Sequence, residues 1–343
     1  MSGEPFQPVV ELRGVTHRFG DVTALDDLSF SVPDAQITVL LGPNGAGKTT
    51  AIRAITGALS PVAGAITTFG FDPRVNGDEV RPRCGVVSAK PALYDRLSGY
   101  DNLLYSAQLY EVDPGETPDR ILDAATRFGI ADSLDHQVGG FSTGMKTRLA
   151  LARSVLHSPD LLLFDEPTSG LDPESAYAVL DLIREMTGRG HTVVMCTHLL
   201  AEAEGLADQL VVIESGHDLV SGSPDELSRR YWPGDLVMLD AEAPDQLDRV
   251  ATWTGVVGFE RKPLEPAKVY IDGPGRVPDI VLALVRDGVR LTRVEPHTPT
   301  LEDLYFAVRH ESQGDGLSPV RAPDGSTVSS HDLDPATEEA MLS

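Results

Sequence analysis

The sequence predicts an α/β protein in which a mostly parallel sheet carries helices on both faces, followed by a small α+β domain. Short apolar runs, among them residues 37–41, 161–164 and 192–196, alternate with longer segments of helical period. Strands that are apolar throughout are typical of parallel sheets whose two faces are covered by helices. The length of 343 residues provides for one large domain and a smaller one.

The order of the elements follows from the same patterns. Residues 9–15 and 28–32 alternate apolar and polar side chains, which predicts half-buried antiparallel strands at the N-terminal end. Strands of the main sheet are predicted at 37–41, 84–88, 161–164, 192–196 and 209–213. Helices are predicted from Lys48 to about Leu59 and at roughly 101–110, 118–128, 144–157, 173–187 and 199–206.

A change of pattern after Leu227 divides the chain. Residues 1–230 form the predicted main domain, and residues 231–235 are a turn-rich linker. Residues 236–309 have the pattern of a strand, a helix, two strands and a helix, which predicts a small α+β domain with a regulatory or dimerisation role. Residues 311–343 hold seven acidic residues and one arginine without periodicity, which predicts a disordered acidic tail.

Charge and composition narrow the functions that fit this chain. The 28 Lys and Arg residues against 52 Asp and Glu residues give a formal net charge of −24. Because duplex nucleic acid is bound largely by basic side chains that neutralise phosphates, we expect no nucleic-acid partner. No run approaches ~20 uninterrupted apolar residues, so we expect no membrane-spanning helix. Cys84 and Cys196 lie in apolar runs and are expected to be buried, reduced thiols.

A glycine-rich loop carries the strongest chemical signal. Residues 42–49 match the pattern G-x-x-x-x-G-K-[ST] between an apolar strand and a predicted helix. The glycines let successive backbone N–H groups point inward, and the helix adds the positive end of its dipole. Lys48 is expected to reach the β- and γ-phosphates of a nucleotide, and Thr49 to hold Mg²⁺. The predicted nucleotide-binding residues of this loop are Gly42, Pro43, Asn44, Gly45, Ala46, Gly47, Lys48, Thr49 and Thr50.

Two acidic residues, Asp165 and Glu166, follow the predicted strand at 161–164. In a parallel sheet the carboxyl ends of the strands lie beside the phosphate loop. This would place Asp165 to orient a metal ion and Glu166 to polarise an attacking water. His198 ends a neighbouring apolar run and can direct its imidazole at the γ-phosphate. Lys48, Glu166 and His198 are therefore the predicted catalytic residues, and Thr49 and Asp165 the predicted metal ligands.

Five motifs in register resemble the ATP-binding subunits of ABC transporters across residues 9–228. They are the loop at 42–50, Phe-Ser-Thr-Gly-Met-Lys-Thr-Arg at 141–148, the strand with its two acids at 161–166, Ser-Gly-Leu-Asp at 169–172 and Thr-His at 197–198. The resemblance implies the P-loop NTPase fold of that family, with an N-terminal antiparallel β portion and a helical subdomain. It also implies ATP and Mg²⁺ as cofactors and a pair of subunits that enclose two ATP molecules.

In that family the segment at 141–148, called the signature segment below, completes the ATP site of the opposing subunit. By this resemblance Ser142, Gly144 and Met145 would contact the nucleotide of a second subunit. Asp172 would cross to that subunit, and Phe19 would stack on adenine. Simpler structural roles remain open, since Ser142 and Asp172 are good helix-capping residues and Phe19 could belong to the core.

The chain departs from the family pattern at two places. Relatives carry a glutamine after the strand at 84–88 that touches Mg²⁺ and couples to the membrane subunit, whereas this chain has Ala89 and Lys90. Lys90 could approach a phosphate or be an ordinary surface lysine. Phe141 and Thr143 stand where leucine and glycine are usual, and the β-branched Thr143 leaves less freedom for a close backbone approach.

The end of the second domain, residues 300–308, is similar to the C-terminal segment of ATPases from exporters of the daunorubicin-resistance kind. The resemblance implies an ATPase that drives a separate transmembrane permease through residues 88–105. It favours an exporter of a drug, a lipid or another hydrophobic substrate over an importer. It implies a pair of subunits, peripheral at the cytoplasmic face of the cell membrane, that meet the membrane through the permease alone. A homodimer is expected, and the sequence leaves a heterodimer open. The alternatives are a soluble or regulatory ABC-type ATPase and a catalytically weak nucleotide-binding subunit of a heteromeric transporter.

Overall fold

Two compact units divide the chain between Pro224 and Asp225, and the described part of the first unit has nine strands. The structure is a computed structural model that describes residues 7–231, 235–297 and 300–312. The strands of the first unit are β1 (Val10–Phe19), β2 (Val22–Val32), β3 (Ile37–Leu41), β4 (Ala63–Thr68), β5 (Cys84–Val87), β6 (Leu161–Asp165), β7 (Thr192–Thr197), β8 (Gln209–Glu214) and β9 (His217–Gly222).

The main sheet has six strands in the order β5, β6, β7, β3, β8, β9. Pairing is parallel from β5 to β8, and β9 joins β8 in antiparallel orientation. Every residue of β3, β6 and β7 is buried, as expected for strands covered on both faces. The predicted α/β class with a mostly parallel sheet is confirmed.

The N-terminal strands form a separate antiparallel sheet in the order β2, β1, β4. Val10, Leu12 and Val15 point from β1 into the same apolar core as Ala51 and Ile55, which follow the phosphate loop. The expected antiparallel portion is therefore present, and both of its predicted strands are longer than their sequence pattern indicated.

Side chains cap three of the long helices of the first unit. The helices of this unit are α1 (Lys48–Ile55), α2 (Gly77–Val80), α3 (Gly99–Leu109), α4 (Thr117–Arg127), α5 (Thr143–Val155), α6 (Pro173–Gly188) and α7 (Leu200–Ala203), and α8 (Pro224–Tyr231) follows at the boundary. Ser98, Ser142 and Asp172 each accept a backbone N–H at the start of α3, α5 and α6, whereas α4 begins without a side-chain cap. None of the described helices has the length and apolar character that crossing a bilayer requires.

From Asp235 onward, the described part of the second unit has a four-stranded antiparallel sheet, two helices, a long 3₁₀ segment at Pro244–Thr252 and a short 3₁₀ turn at Pro274–Arg276. Its elements are β10 (Asp235–Ala241), the long 3₁₀ segment, β11 (Val256–Glu260), β12 (Ala267–Ile271), the short 3₁₀ turn, α9 (Val277–Arg286), β13 (Leu291–His297) and α10 (Leu301–Ser312). The strand order is β11, β12, β10, β13. Leu239, Leu247, Val269 and Leu284 lie in its core, so the sheet buries one apolar face under the 3₁₀ segment and α9.

With the long 3₁₀ segment counted as its first helix, the predicted pattern of this second unit has one strand and one helix fewer than the structure, and the missing strand is β13. It pairs only with β10, at the edge of the sheet, and most of its residues are exposed. Pro296 also lies within it, and proline is confined to edge positions because it cannot donate a backbone hydrogen bond. An exposed edge strand lacks the apolar alternation on which the sequence prediction depended.

Other differences lie at short or edge elements. Strands β4 and β9 were not predicted, and both are edge strands of their sheets. The helix predicted at 199–206 is reduced to Leu200–Ala203, with Gly205 in the left-handed region at φ 68° just beyond its end. Helix α1 stops at Ile55 instead of about Leu59, with Gly57 at φ 70°.

Both cysteines are buried and free, as expected. Burial raises the pKa of Cys84 to about 12, so this thiol is held in its neutral form. Residues 232–234 of the predicted linker and residues 313–343 of the predicted tail lie outside the described residues.

Candidate active site

The phosphate loop joins β3 to α1 at the carboxyl end of the main sheet. Gly45 and Gly47 adopt φ values of 83° and 109°, a region that residues with a Cβ rarely adopt. Gly47 is the N-cap of α1 and provides no side-chain hydrogen bond to the helix. The first N–H groups of α1 therefore have no capping side chain, and a helix start of this kind favours anions.

Lys48 is the first residue of α1 and points back across this loop. Its side chain is 5% exposed, and Nζ donates to the carbonyl oxygens of Gly42 at 2.7 Å and Pro43 at 3.1 Å. The same ammonium lies 3.7 Å from Glu166 Oε1. A cation held in this way supplies a fixed positive charge inside a chain that is acidic overall.

Thr49 and Asp165 form the second contact between the loop and the sheet. Thr49 Oγ1 donates to Asp165 Oδ2 at 2.8 Å, and Asp165 is 7% exposed at the end of β6. Burial raises the pKa of Asp165, and the hydrogen bond from Thr49 acts in the opposite direction. A hydroxyl and a buried carboxylate together offer oxygen donors of the type that a small divalent cation prefers.

Glu166 follows directly and has a constrained backbone. Its φ is 51°, which is uncommon for a residue with a Cβ, and its N–H donates to Cys196 O at 3.0 Å. Its Oε1 lies 3.1 Å from His198 Nδ1 as well as within ion-pair distance of Lys48. This arrangement results from the parallel pairing of β6 with β7, in which Asp165 lies opposite Cys196.

The signature segment forms the start of α5. Ser142 caps this helix by accepting the N–H of Met145 at 3.2 Å. A Cβ added to Gly144 would meet Ser175 Oγ at 3.6 Å, so the segment lies beside the start of α6. Within the described ranges, no hydrogen bond or ion pair joins Ser142 or Gly144 to Lys48.

Within the described residues, neither Asp172 nor Phe19 shares a hydrogen bond or ion pair with Lys48 or Glu166. Asp172 caps α6, accepting the N–H of Ser175 at 3.0 Å and its hydroxyl at 2.7 Å. The backbone hydrogen bond from Ser175 lowers the pKa of Asp172. Phe19 is 49% exposed and packs edge-on against His17 at 4.6 Å, so the alternative that it belongs to the core is wrong.

Comparison with known proteins decides the family. Residues 25–169 match the sequence model of the ABC transporter family. The chain is 34% identical over 299 residues to the daunorubicin resistance ATP-binding protein DrrA3 of Streptomyces coeruleorubidus, covering 87% of this chain and 94% of that protein. It is 33% identical over 305 residues to the Nod factor export ATP-binding protein I of Bradyrhizobium diazoefficiens, covering 87% and 95%.

A solved structure described as the ATP-binding subunit of an ABC transporter superposes with a TM-score of 0.60 at 29% identity, covering 65% of this chain and 93% of that one. The chain is an ABC transporter ATP-binding protein. Proteins of this family hydrolyse ATP, so the predicted family, fold and ATPase activity are confirmed.

In this ABC ATPase, Ala89 and Lys90 line a cavity of about 250 Å³ next to Glu166. Its other walls are the start of α5, with Thr143 and Lys146, and the chain that follows Glu166. Ala89 carries only a methyl group, so this side chain offers neither an oxygen nor an N–H to the cavity. The chain segment after β5 therefore brings a methyl group at Ala89, together with Lys90, to the cavity beside Glu166.

One group near the site was missed by the sequence analysis. Glu202 is a buried carboxylate in α7 that accepts hydrogen bonds from Thr168 and Thr197. The sequence does not point to Glu202, because an acidic residue in a predicted helix is normally expected on the face exposed to solvent. The buried neighbours Ala203 and Leu206 could have indicated that this part of the chain packs inward.

The geometry of the loop predicts that Gly42→Ala destabilises the ABC ATPase. A Cβ at Gly42 would lie 2.1 Å from Ile213 O, so the loop or β8 must shift. We expect the free energy of unfolding in urea to fall by about 2 kcal/mol and ATP affinity to fall with it. The matched control is Gly140→Ala, where no atom lies within 4 Å of the added carbon. Equal stability of the two variants would contradict the prediction.

Proposed function

We propose that this ABC ATPase hydrolyses ATP with Mg²⁺ in a pair of identical subunits and drives a separate transmembrane permease that exports a drug, a lipid or another hydrophobic substrate. The observation that carries the proposal is the meeting of Lys48, Glu166 and His198 beside the Thr49–Asp165 contact. In this proposal the protein is peripheral at the cytoplasmic face of the cell membrane and contacts the membrane through the permease.

Glu166 is the proposed general base of hydrolysis. Its carboxylate lies between a cation and an imidazole, which hold it in one orientation and leave an oxygen to accept a proton from an attacking water. Lys48 stabilises the negative charge that develops on the transferred phosphoryl group. His198 positions Glu166 and can donate a hydrogen bond to the γ-phosphate.

The donor set around Thr49 and Asp165 fits Mg²⁺. Both side chains supply oxygen, and among the described residues no group of three or more His, Cys, Asp or Glu could hold a metal alone. Such a site suits a cation whose remaining ligands are phosphate oxygens and waters, which is how Mg²⁺ is usually bound with nucleotides. When bound, Mg²⁺ would neutralise phosphate charge.

The proposal of a paired subunit is supported by the position of the signature segment. Ser142, Gly144 and Met145 form the start of α5, a 13-residue helix whose N-terminal N–H groups favour anions. They make no contact with Lys48 of the same chain in the described residues, which suits a role at the nucleotide of a second copy. Asp172 is proposed to contact that second copy beside them.

The permease surface is proposed at a groove on the helical part of the unit. Tyr94, Tyr105, Leu109 and Tyr110 are exposed there, and Leu109 is 68% exposed. Arg153 lines the groove and donates to Ala92 O. An exposed aromatic and apolar patch of this kind is typical of a protein contact site. Export is supported by the relatives named for daunorubicin resistance and Nod factor export.

A second candidate is a catalytically weak subunit of a heteromeric transporter. The observation that favours it is Ala89, which lines the cavity beside Glu166 and offers no side-chain ligand to a metal ion or a water there. A phosphate-release assay on the purified chain, with and without its permease, separates the two candidates. A soluble ATPase that acts on nucleic acid is disfavoured by the net charge of −24.

The first prediction of this function concerns Glu166→Gln. The amide keeps the size of the side chain but cannot accept a proton, so kcat should fall by about 100-fold or more while ATP binding is retained. Size-exclusion chromatography with ATP should then show a trapped dimer. Glu204→Gln, which changes an exposed acid, is the control and should leave turnover unchanged. Near wild-type hydrolysis by Glu166→Gln would exclude Glu166 as the base.

A second prediction concerns Lys48→Ala. Loss of the ammonium removes charge-assisted hydrogen bonds to phosphate, so ATP affinity measured by calorimetry should fall by about 10-fold or more. Lys262→Ala removes an exposed lysine of the second unit and should bind ATP as the wild type does. Equal affinity of the Lys48 and Lys262 variants would show that the ammonium does not bind phosphate.

A third prediction tests the groove. Leu109→Asp places a charge on the exposed apolar patch, so a multi-span membrane protein that co-purifies with the wild type from a detergent extract should be lost. ATP affinity of the isolated chain should not change, because Leu109 lies outside the phosphate loop. The control is Leu122→Asp in α4, where the replaced leucine is similarly exposed. Retention of the membrane protein by Leu109→Asp would rule out this surface.

A further inference from the structure

A carboxylate lies buried next to the active site without a cationic partner. Glu202 is 8% exposed in α7, and its neighbours Ala203 and Leu206 are buried apolar residues. Within the described ranges, Glu202 takes part in no ion pair. A buried carboxylate is costly unless its oxygens are hydrogen-bonded, so its contacts identify what it stabilises.

Each oxygen of Glu202 accepts a hydrogen bond from a threonine hydroxyl. Thr168 Oγ1 donates to Oε1, and Thr197 Oγ1 donates to Oε2 at 2.6 Å. Both threonines are buried. Thr197 Oγ1 also accepts the N–H of Leu199 at 3.0 Å, which orients its hydroxyl hydrogen toward Glu202. The carboxylate is therefore satisfied by these two side chains.

The two threonines belong to the chain segments that carry the reacting groups. Thr168 stands two residues after Glu166, and Thr197 directly precedes His198. Glu202 thus joins the backbone beyond Glu166 to the backbone before His198. The direct contact of 3.1 Å between His198 Nδ1 and Glu166 Oε1 closes the same ring of residues.

The backbone conformation of Glu166 requires contacts that hold it in place. Its φ of 51° lies in the left-handed region, and Pro167 follows it. The backbone at this position is strained, and strain of this kind persists only where surrounding contacts over-determine it. The Glu166 N–H bond to Cys196 O holds one end of the segment, and the Thr168–Glu202 bond holds the other.

We propose that Glu202 is a positioning residue for ATP hydrolysis, which fixes the spacing between Glu166 and His198 through Thr168 and Thr197. The inference rests on the proposed roles of Glu166 and His198. Nucleotide binding depends on other contacts, those of Lys48 with the loop and of Thr49 with Asp165. Loss of Glu202 therefore affects kcat and leaves ATP affinity nearly unchanged.

The test compares Glu202→Ala and Glu202→Gln with Glu204→Ala, a matched control that removes an exposed acid two residues away. Calorimetry gives ATP affinity, and steady-state phosphate release gives kcat and KM. For Glu202→Ala we expect kcat to fall by about 10- to 100-fold with ATP affinity within about 2-fold of the wild type. Glu202→Gln should recover part of kcat, because its amide oxygen still accepts one hydroxyl.

Thr168→Val keeps the Glu202 carboxylate and removes one of the two hydroxyls that donate to it. This variant therefore replaces Glu202→Ala in the test if Glu202→Ala does not fold. It should lower kcat with unchanged ATP affinity. Wild-type kcat in a folded Glu202→Ala or Thr168→Val variant overturns the inference. The inference is also overturned if ATP affinity and stability in urea fall as far as kcat does, because that result indicates a purely structural residue. If the wild type itself binds ATP without hydrolysing it, the proposed function fails, and the inference fails with it.

Discussion

The parallel pairing of β3, β6 and β7 is the constraint on which the active site depends. β7 pairs with β3 on one side and with β6 on the other, in register from Ile37 opposite Val193 and from Leu161 opposite Thr192. The carboxyl ends of these strands therefore emerge together. Because each strand is followed at once by a chemically distinct segment, the pairing alone brings the phosphate loop, Asp165 with Glu166, and His198 to one edge of the sheet.

Electrostatics at this edge differ from those of the whole chain. A formal charge of −24 opposes extended polyanions, yet the edge holds a buried ammonium and a helix start without a capping side chain. The acids at the edge are restrained by partners, since Thr49 bonds Asp165, and both Lys48 and His198 contact Glu166. A compact polyphosphate is thus compatible with an acidic protein, because the proposed site provides positive charge and uncapped backbone N–H groups locally.

Sequence reasoning succeeded where the environment of a residue limits its type. The turn at Gly45 and Gly47 was predictable because positive φ values favour residues without a Cβ, whereas the nucleotide-binding role of the loop stays a prediction. The apolar strands β3, β6 and β7 were predictable because burial on both faces leaves a continuous apolar pattern. Strand β13 was not, because an exposed edge carries no such pattern. Glu202 was not predictable either: only the packing of α7 buries it, and the two threonines that bond it are 29 residues apart in sequence.

The segment between Thr168 and Asp172 connects two parts of the proposed mechanism. At one end Thr168 bonds Glu202 and, through it, Thr197 beside His198. At the other end Asp172 caps α6 through Ser175, and the signature glycine Gly144 lies next to the same serine. Five residues therefore span the distance from the hydrolytic groups to the surface proposed to meet a second copy. Because α6 and the Glu202 contacts fix both ends, a displacement at that surface must be absorbed within this segment or passed to Glu166.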